Sequence, residues 1–108
     1  MQSPAMPVFD LAVLPDRSSV LVRIEGELDL ATAPRLAGAI QELREVGWDV
    51  IVLDLAAADF VDSTGLRLLL DFQEQARREG WRFALRGECG AFDRLLCVTG
   101  LRDWFARA

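Results

Sequence analysis

Val50-Ile51-Val52-Leu53-Asp54-Leu55, a short linker, and then Asp62-Ser63-Thr64-Gly65-Leu66 form the stretch that decides how this chain is read. The first block is a nearly unbroken β-branched and apolar run, the pattern of a central strand covered on both faces. The second opens a helix expected from about Leu66 to Arg78. A pair of hydroxyls therefore falls at or near a helix N-terminus, where backbone N–H groups lack partners and the helix dipole favours negative charge. A phosphate on such a hydroxyl would be tolerated locally, while Asp59 and Asp62 would repel it. That balance suits a reversible switch better than a permanent structural site.

Upstream of this stretch, Phe9, Leu11 and Val13 alternate with Asp10 and Ala12, and Val20, Val22 and Ile24 alternate with Arg23 and Glu25. With the turn residues Pro15-Asp16-Arg17-Ser18-Ser19 between them, the two runs predict an antiparallel hairpin. Glu27-Leu28-Asp29-Leu30 is a candidate third extended segment. Thr32 is a candidate N-cap, with Pro34 in the first turn of a helix whose inward residues are Ala33, Leu36, Ala37, Ile40 and Leu43. Gly47 stops that helix. Downstream, the helix after the hydroxyl pair carries Leu66, Leu68, Leu69, Leu70, Phe72 and Ala76, wider than a single core-facing stripe. Burial between the sheet and another helix is the preferred account of that width, and apolar surface left for a partner is the alternative. Trp81 to Arg86 reads as a strand, Ala91 to Thr99 as a helix, and Leu101 to Ala108 as a short helix or coil. The order β-β-(β)-α-β-α-β-α requires right-handed crossovers. It predicts an α/β domain with a mixed four- to five-stranded sheet packed with three to four helices. Residues 1–7, with two Pro and no periodicity, are expected to be a flexible leader, and residues 8–108 the domain.

Composition excludes whole classes of chemistry. All twelve basic residues are Arg, and Lys, His and Tyr are absent. No imidazole base, Schiff-base amine or phenolic acid exists, so a Ser/His/Asp or Cys/His site cannot be built. No metal set and no cofactor is expected. Cys89 and Cys97, placed on one helix, would lie ~12 Å apart, beyond disulfide reach, and both are expected to be small buried thiols. The net charge of −5 argues against nucleic acid, whose binders present basic surfaces. No apolar run approaches the ~20 residues of a membrane span, and the N-terminus lacks a secretion signal. The expectation is a cytoplasmic protein without direct membrane insertion.

Three blocks then resemble one known family. Phe60-Val61-Asp62-Ser63-Thr64-Gly65-Leu66 is similar to the signature of bacterial anti-sigma-factor antagonists, the STAS domain. Gly26-Glu27-Leu28-Asp29-Leu30-Ala31-Thr32-Ala33 resembles their upstream motif, and Arg94 to Leu101 resembles their last helix and its Thr-Gly-Leu ending. The resemblance covers about residues 8–106 and implies a regulatory binding protein, not an enzyme. It implies that Ser63 is phosphorylated by a partner that is both anti-sigma factor and serine kinase. The unmodified chain would bind that partner, phosphorylation would abolish binding, and a serine phosphatase would reset the switch. Asp29, Asp62, Thr64 and Gly65 are the implied neighbours of the switch. Leu30, Thr32, Phe60, Val61, Leu66 and Arg67 are the expected partner-binding residues, with a core role left equally open for Phe60 and Val61. The chain has no phosphate loop and Ser63 has no adjacent base, so it is expected to be a substrate of the kinase.

Two other classes fit poorly. A response-regulator receiver needs a Lys, which is absent, and a hydrolase using Asp29 with Asp62 would need a cleft that nothing in the chain encodes. The serious alternative stays within the resemblance: a STAS subunit of a lipid-transport ABC system or of a stress-signalling assembly, acting as a constitutive protein-binding module with Ser63 unmodified.

Overall fold

The computed structural model describes residues 9–108. The expected leader, residues 1–7, lies outside them. β1 (Asp10–Asp16) and β2 (Ser19–Leu28) form the hairpin, antiparallel from Asp10↔Glu25 to Asp16↔Ser19. α1 (Ala33–Val46), β3 (Val50–Asp54), β4 (Ala58–Val61) and α2 (Ser63–Glu79) follow. β5 (Arg82–Arg86), α3 (Gly90–Thr99), a 3-10 turn at Arg102–Trp104 and β6 (Ala106–Arg107) complete the order. The sheet is mixed and six-stranded, in the order β1-β2-β3-β5-β6, with β4 pairing separately with β2. Every pairing except β1–β2 is parallel. No helix among the described residues is long and apolar enough to cross a membrane.

Successive rungs of the sheet show where the core sits. Val20, Ile51 and Phe83 share one rung and Val22, Leu53 and Leu85 another, and all six are fully buried. The rung between them, Leu21, Val52 and Ala84, points the other way, and Leu21 and Val52 are only half-buried. Arg23, Glu25, Arg82 and Arg86 on that second face are exposed. Phe92 and Leu96 of α3 join Leu36, Ile40, Leu69 and Phe72 in the same core, so all three helices cover one face. The expectation that β3 is covered on both faces is therefore corrected. Val50 and Val52 fit a pleated, half-exposed strand because β-branching favours the extended backbone there, whether or not a second layer exists.

Two strands were missed in the sequence. β4 lies in what reads as a linker, because four residues with two exposed side chains carry almost no periodic signal. β6 lies in the tail, which is a 3-10 turn and a two-residue strand and not a helix. Glu27 and Leu28 are the end of β2 and not a third segment, and Asp29 and Leu30 form the turn after it. β2 runs on because it changes partner. It pairs with β3 from Val20 to Arg23 and with β4 from Gly26 to Leu28, with an irregularity at Gly26/Glu27. Gly26 has φ +93°, a backbone that L side chains rarely adopt, so glycine is what permits the change of partner there.

Asp54 accepts hydrogen bonds from Ala56 N–H (3.0 Å) and Arg23 Nε–H (3.4 Å). Cys89 is buried and Cys97 exposed, which corrects the expectation of two buried thiols. Position 97 falls on the outer side of α3, beside Val98, which is 86% exposed.

Candidate functional site

The β2–β4 pairing builds the site. Its last rung is Leu28↔Val61, and Asp62 N–H donates to Leu28 C=O at 3.0 Å. Paired parallel strands lie about 5 Å apart. The next residue of each, Asp29 and Asp62, therefore emerge side by side. Sequence motifs more than thirty residues apart meet through this one rung.

Each aspartate then organises its own turn. Asp29 Oδ1 accepts from Ala31 N–H (3.0 Å) and Thr32 N–H (3.1 Å), closing the tight turn into α1. Thr32 occupies the N-cap position of α1, but its hydroxyl does not cap. It accepts from Asp29 N–H (2.9 Å) and donates to Glu27 C=O (2.7 Å). Asp62 is the N-cap of α2, and its Oδ1 accepts from Gly65 N–H at 2.8 Å. The helix thus begins at Ser63, three residues earlier than the apolar periodicity suggests. Asp62→Ala is expected to cost about 1 kcal/mol of stability, the usual value of a lost cap, read as a lower urea midpoint with an unchanged slope.

Capping by Asp62 leaves Ser63 without a structural role. Its side chain is exposed, and among the described residues its hydroxyl makes no hydrogen bond. Thr64 is half-buried and turned toward α1. Gly65 packs against the end of β2, where an added Cβ would sit 2.8 Å from Leu28 O and 2.9 Å from Val61 Cγ1.

The expected partner-binding residues separate by burial. Leu30 is 75% and Phe60 45% exposed, and Arg67 is exposed on α2. Val61 and Leu66 are core residues, 1% and 9% exposed, and no partner can reach them, which corrects their assignment to the docking surface. Leu66 belongs to the inward series Leu66, Leu69, Phe72 and Ala76, and Val61 is held inward by its rung with Leu28. Thr32 is half-buried with its hydroxyl engaged, so it positions the Asp29 turn and offers a partner little.

A shallow groove of about 320 Å³ runs between the first turns of α1 and α2, beside Ser63. Leu30, Ala33, Ala37 and Leu68 make it apolar, and Thr64, Arg67 and Asp71 mark its α2 side. Arg67 Nε lies 3.5 Å from Asp71 Oδ1. The sequence hinted at this groove only through the excess apolar width of α2. Leu68 and Leu70 are the half-buried remainder of that width. A larger depression near β6 holds Arg86, Arg102 and Arg107 against Glu88, Asp93 and Asp103. Its charges balance, Arg107 pairs with Asp93 at 3.4 Å, and it shares no residue with the groove.

Comparison with known proteins finds relatives that share this fold. Residues 12–106 match the family model described as Mlab, STAS domain. The chain is 30% identical over 82 residues, 76% of each chain, to the anti-sigma-B factor antagonist of Staphylococcus epidermidis. It superposes with a TM-score of 0.79 and 30% identity on an anti-sigma factor antagonist from Mycobacterium paratuberculosis, covering 91% of this chain and 83% of that one. The Bacillus cell fate determinant SpoIIAA in its phosphorylated form shares the fold at a TM-score of 0.70 and 24% identity, over 94% and 91% of the two chains.

Proposed function

Because the chain belongs to the STAS domain family, we propose that it is an anti-sigma-factor antagonist that switches partners through the hydroxyl of Ser63. The observation that carries this reading is the state of that hydroxyl. Asp62 takes the capping role, so Ser63 Oγ stands exposed and unengaged, one residue before Thr64, which lines the apolar groove. Modifying it disturbs no internal bond, and a group added there faces whatever docks on Leu30, Phe60 and the groove.

The chemistry comes from the partner. The γ-phosphoryl group of a nucleoside triphosphate passes to Ser63 Oγ: a new O–P bond forms, the bond to the diphosphate leaving group breaks, and the hydroxyl proton goes to a base on the kinase. This chain contributes a positioned acceptor. The Asp29 and Asp62 turns hold the backbone around it, and their carboxylates make the local field negative. A serine phosphatase returns the hydroxyl by hydrolysis. The unmodified form binds an anti-sigma factor that is also the serine kinase, and so releases a sigma factor.

The test is incubation of the intact chain with candidate anti-sigma kinases and ATP. Ser63 is expected to gain one phosphoryl group by mass, Ser63→Ala to gain none while still binding, and Thr64→Val to remain a substrate. Binding without any modification would overturn the switch and leave the chain as a constitutive STAS docking subunit.

A further inference from the structure

Ser63, Arg67 and Asp71 stand four residues apart on α2, and all three are exposed. Residues at this spacing are neighbours on a helix surface. Each Cα–Cβ bond tilts toward the helix N-terminus, so Arg67 leans toward Ser63. In the structure its guanidinium is paired instead with Asp71, Nε to Oδ1 at 3.5 Å. That pair has the basic residue N-terminal to the acidic one, the less favourable order at i,i+4. The pair is also open to water, with 79% of the Arg67 side chain and 66% of the Asp71 side chain exposed. Such a pair is weak and readily exchanged.

We propose that Arg67 is the residue that receives the phosphate on Ser63, leaving Asp71 to do so. This deepens the switch proposed above and rests on it. Phosphoserine at 63 places ~1.5–2 negative charges N-terminal to Arg67 at the favourable spacing and order. A phosphate can accept two parallel N–H···O bonds from the guanidinium and carries more charge than the Asp71 carboxylate. Asp62 directly precedes the modified serine and Asp29 emerges from the paired strand end beside it, and Arg67 is the basic residue of its helix face within one turn. The exchange has a consequence for docking. Arg67 and Asp71 both line the groove. Modification therefore adds a phosphate on the residue before Thr64, withdraws the arginine from the Asp71 pair and leaves the Asp71 carboxylate bare. A partner whose acidic group faces Arg67 meets three changes in charge from one covalent event.

The test installs phosphoserine at position 63 of the full chain by genetic encoding, so that no kinase is needed. Phosphorus NMR then follows the second ionisation of that phosphate. Arg67→Gln is expected to raise the titration midpoint by about 0.15–0.4 pH unit, because the arginine favours the dianion. Arg67→Lys is expected to restore part of the shift, and Asp71→Asn to lower the midpoint below that of the wild type. Equal midpoints for wild type and Arg67→Gln would overturn the role of Arg67, and an Asp71→Asn midpoint no lower than wild type would overturn the exchange. A kinase that leaves Ser63 unmodified would defeat the switch but not this titration, so the two failures are told apart.

Discussion

Phosphoserine at position 63 is expected to weaken binding of the anti-sigma partner about a hundredfold, measured by titration calorimetry with the unmodified chain as reference. A hundredfold loss corresponds to about 2.7 kcal/mol. The added group carries ~1.5–2 negative charges. Against one partner carboxylate ~6 Å away, at an effective dielectric of ~40, Coulomb's law gives roughly 2–3 kcal/mol of repulsion. One acidic contact, or a steric clash of similar size, is enough, and no refolding of this domain is required. The expectation follows from where Ser63 stands. It is exposed, free of internal hydrogen bonds and beside the groove, so the charge is delivered to the interface and not to the core. Ser63→Asp should show a smaller loss, because it brings one charge on a shorter arm. An affinity unchanged by phosphoserine would place the docking surface elsewhere on the molecule.

Gly65→Ala is expected to destabilise the domain by about 2 kcal/mol, lowering Tm by roughly 8–16 °C. The sign is the informative part. Glycine inside a helix ordinarily loses about 0.5–1 kcal/mol to alanine, so a replacement in open space stabilises. Gly38 of α1 is such a position, with nothing within 4 Å of an added Cβ, and Gly38→Ala should raise Tm by a few degrees. At Gly65 the same methyl would meet Leu28 O at 2.8 Å and Leu28 Cγ and Val61 Cγ1 at 2.9 Å. One of these atoms is backbone and the other two belong to fully buried side chains, so none can yield cheaply. The helix would have to rise from the strand end, and the Leu28↔Val61 rung that brings Asp29 to Asp62 would open with it. Equal stability of Gly65→Ala and wild type would mean that α2 does not press on β2 at this point.

Much of the site was legible before any coordinates. A hydroxyl pair at the start of a helix, with Asp62 directly before it, is a local feature, closed by a hydrogen bond spanning three residues. The chemistry barred by the absence of His and Lys was equally plain. The groove was not legible, because Leu30, Ala37 and Leu68 come from three segments and none is unusual where it stands. Phe60 and Val61 illustrate the same limit: two adjacent apolar residues of one short strand, one 45% exposed and the other 1%. Their difference arises from what lies against each face of β4.

The amino-acid order alone thus determined the hairpin, the three helices with their stops, the family resemblance and the candidate serine, since periodicity, capping and turn chemistry act over a few neighbouring residues. Only the tertiary structure decided that β2 changes partner at Gly26, that one face of the sheet stays uncovered, that Val61 and Leu66 belong to the core, and that Thr64 and Arg67, next to the exposed Ser63 on α2, border an open groove. Those outcomes depend on which distant surfaces exclude water together, and no short window of sequence contains both sides of such a contact.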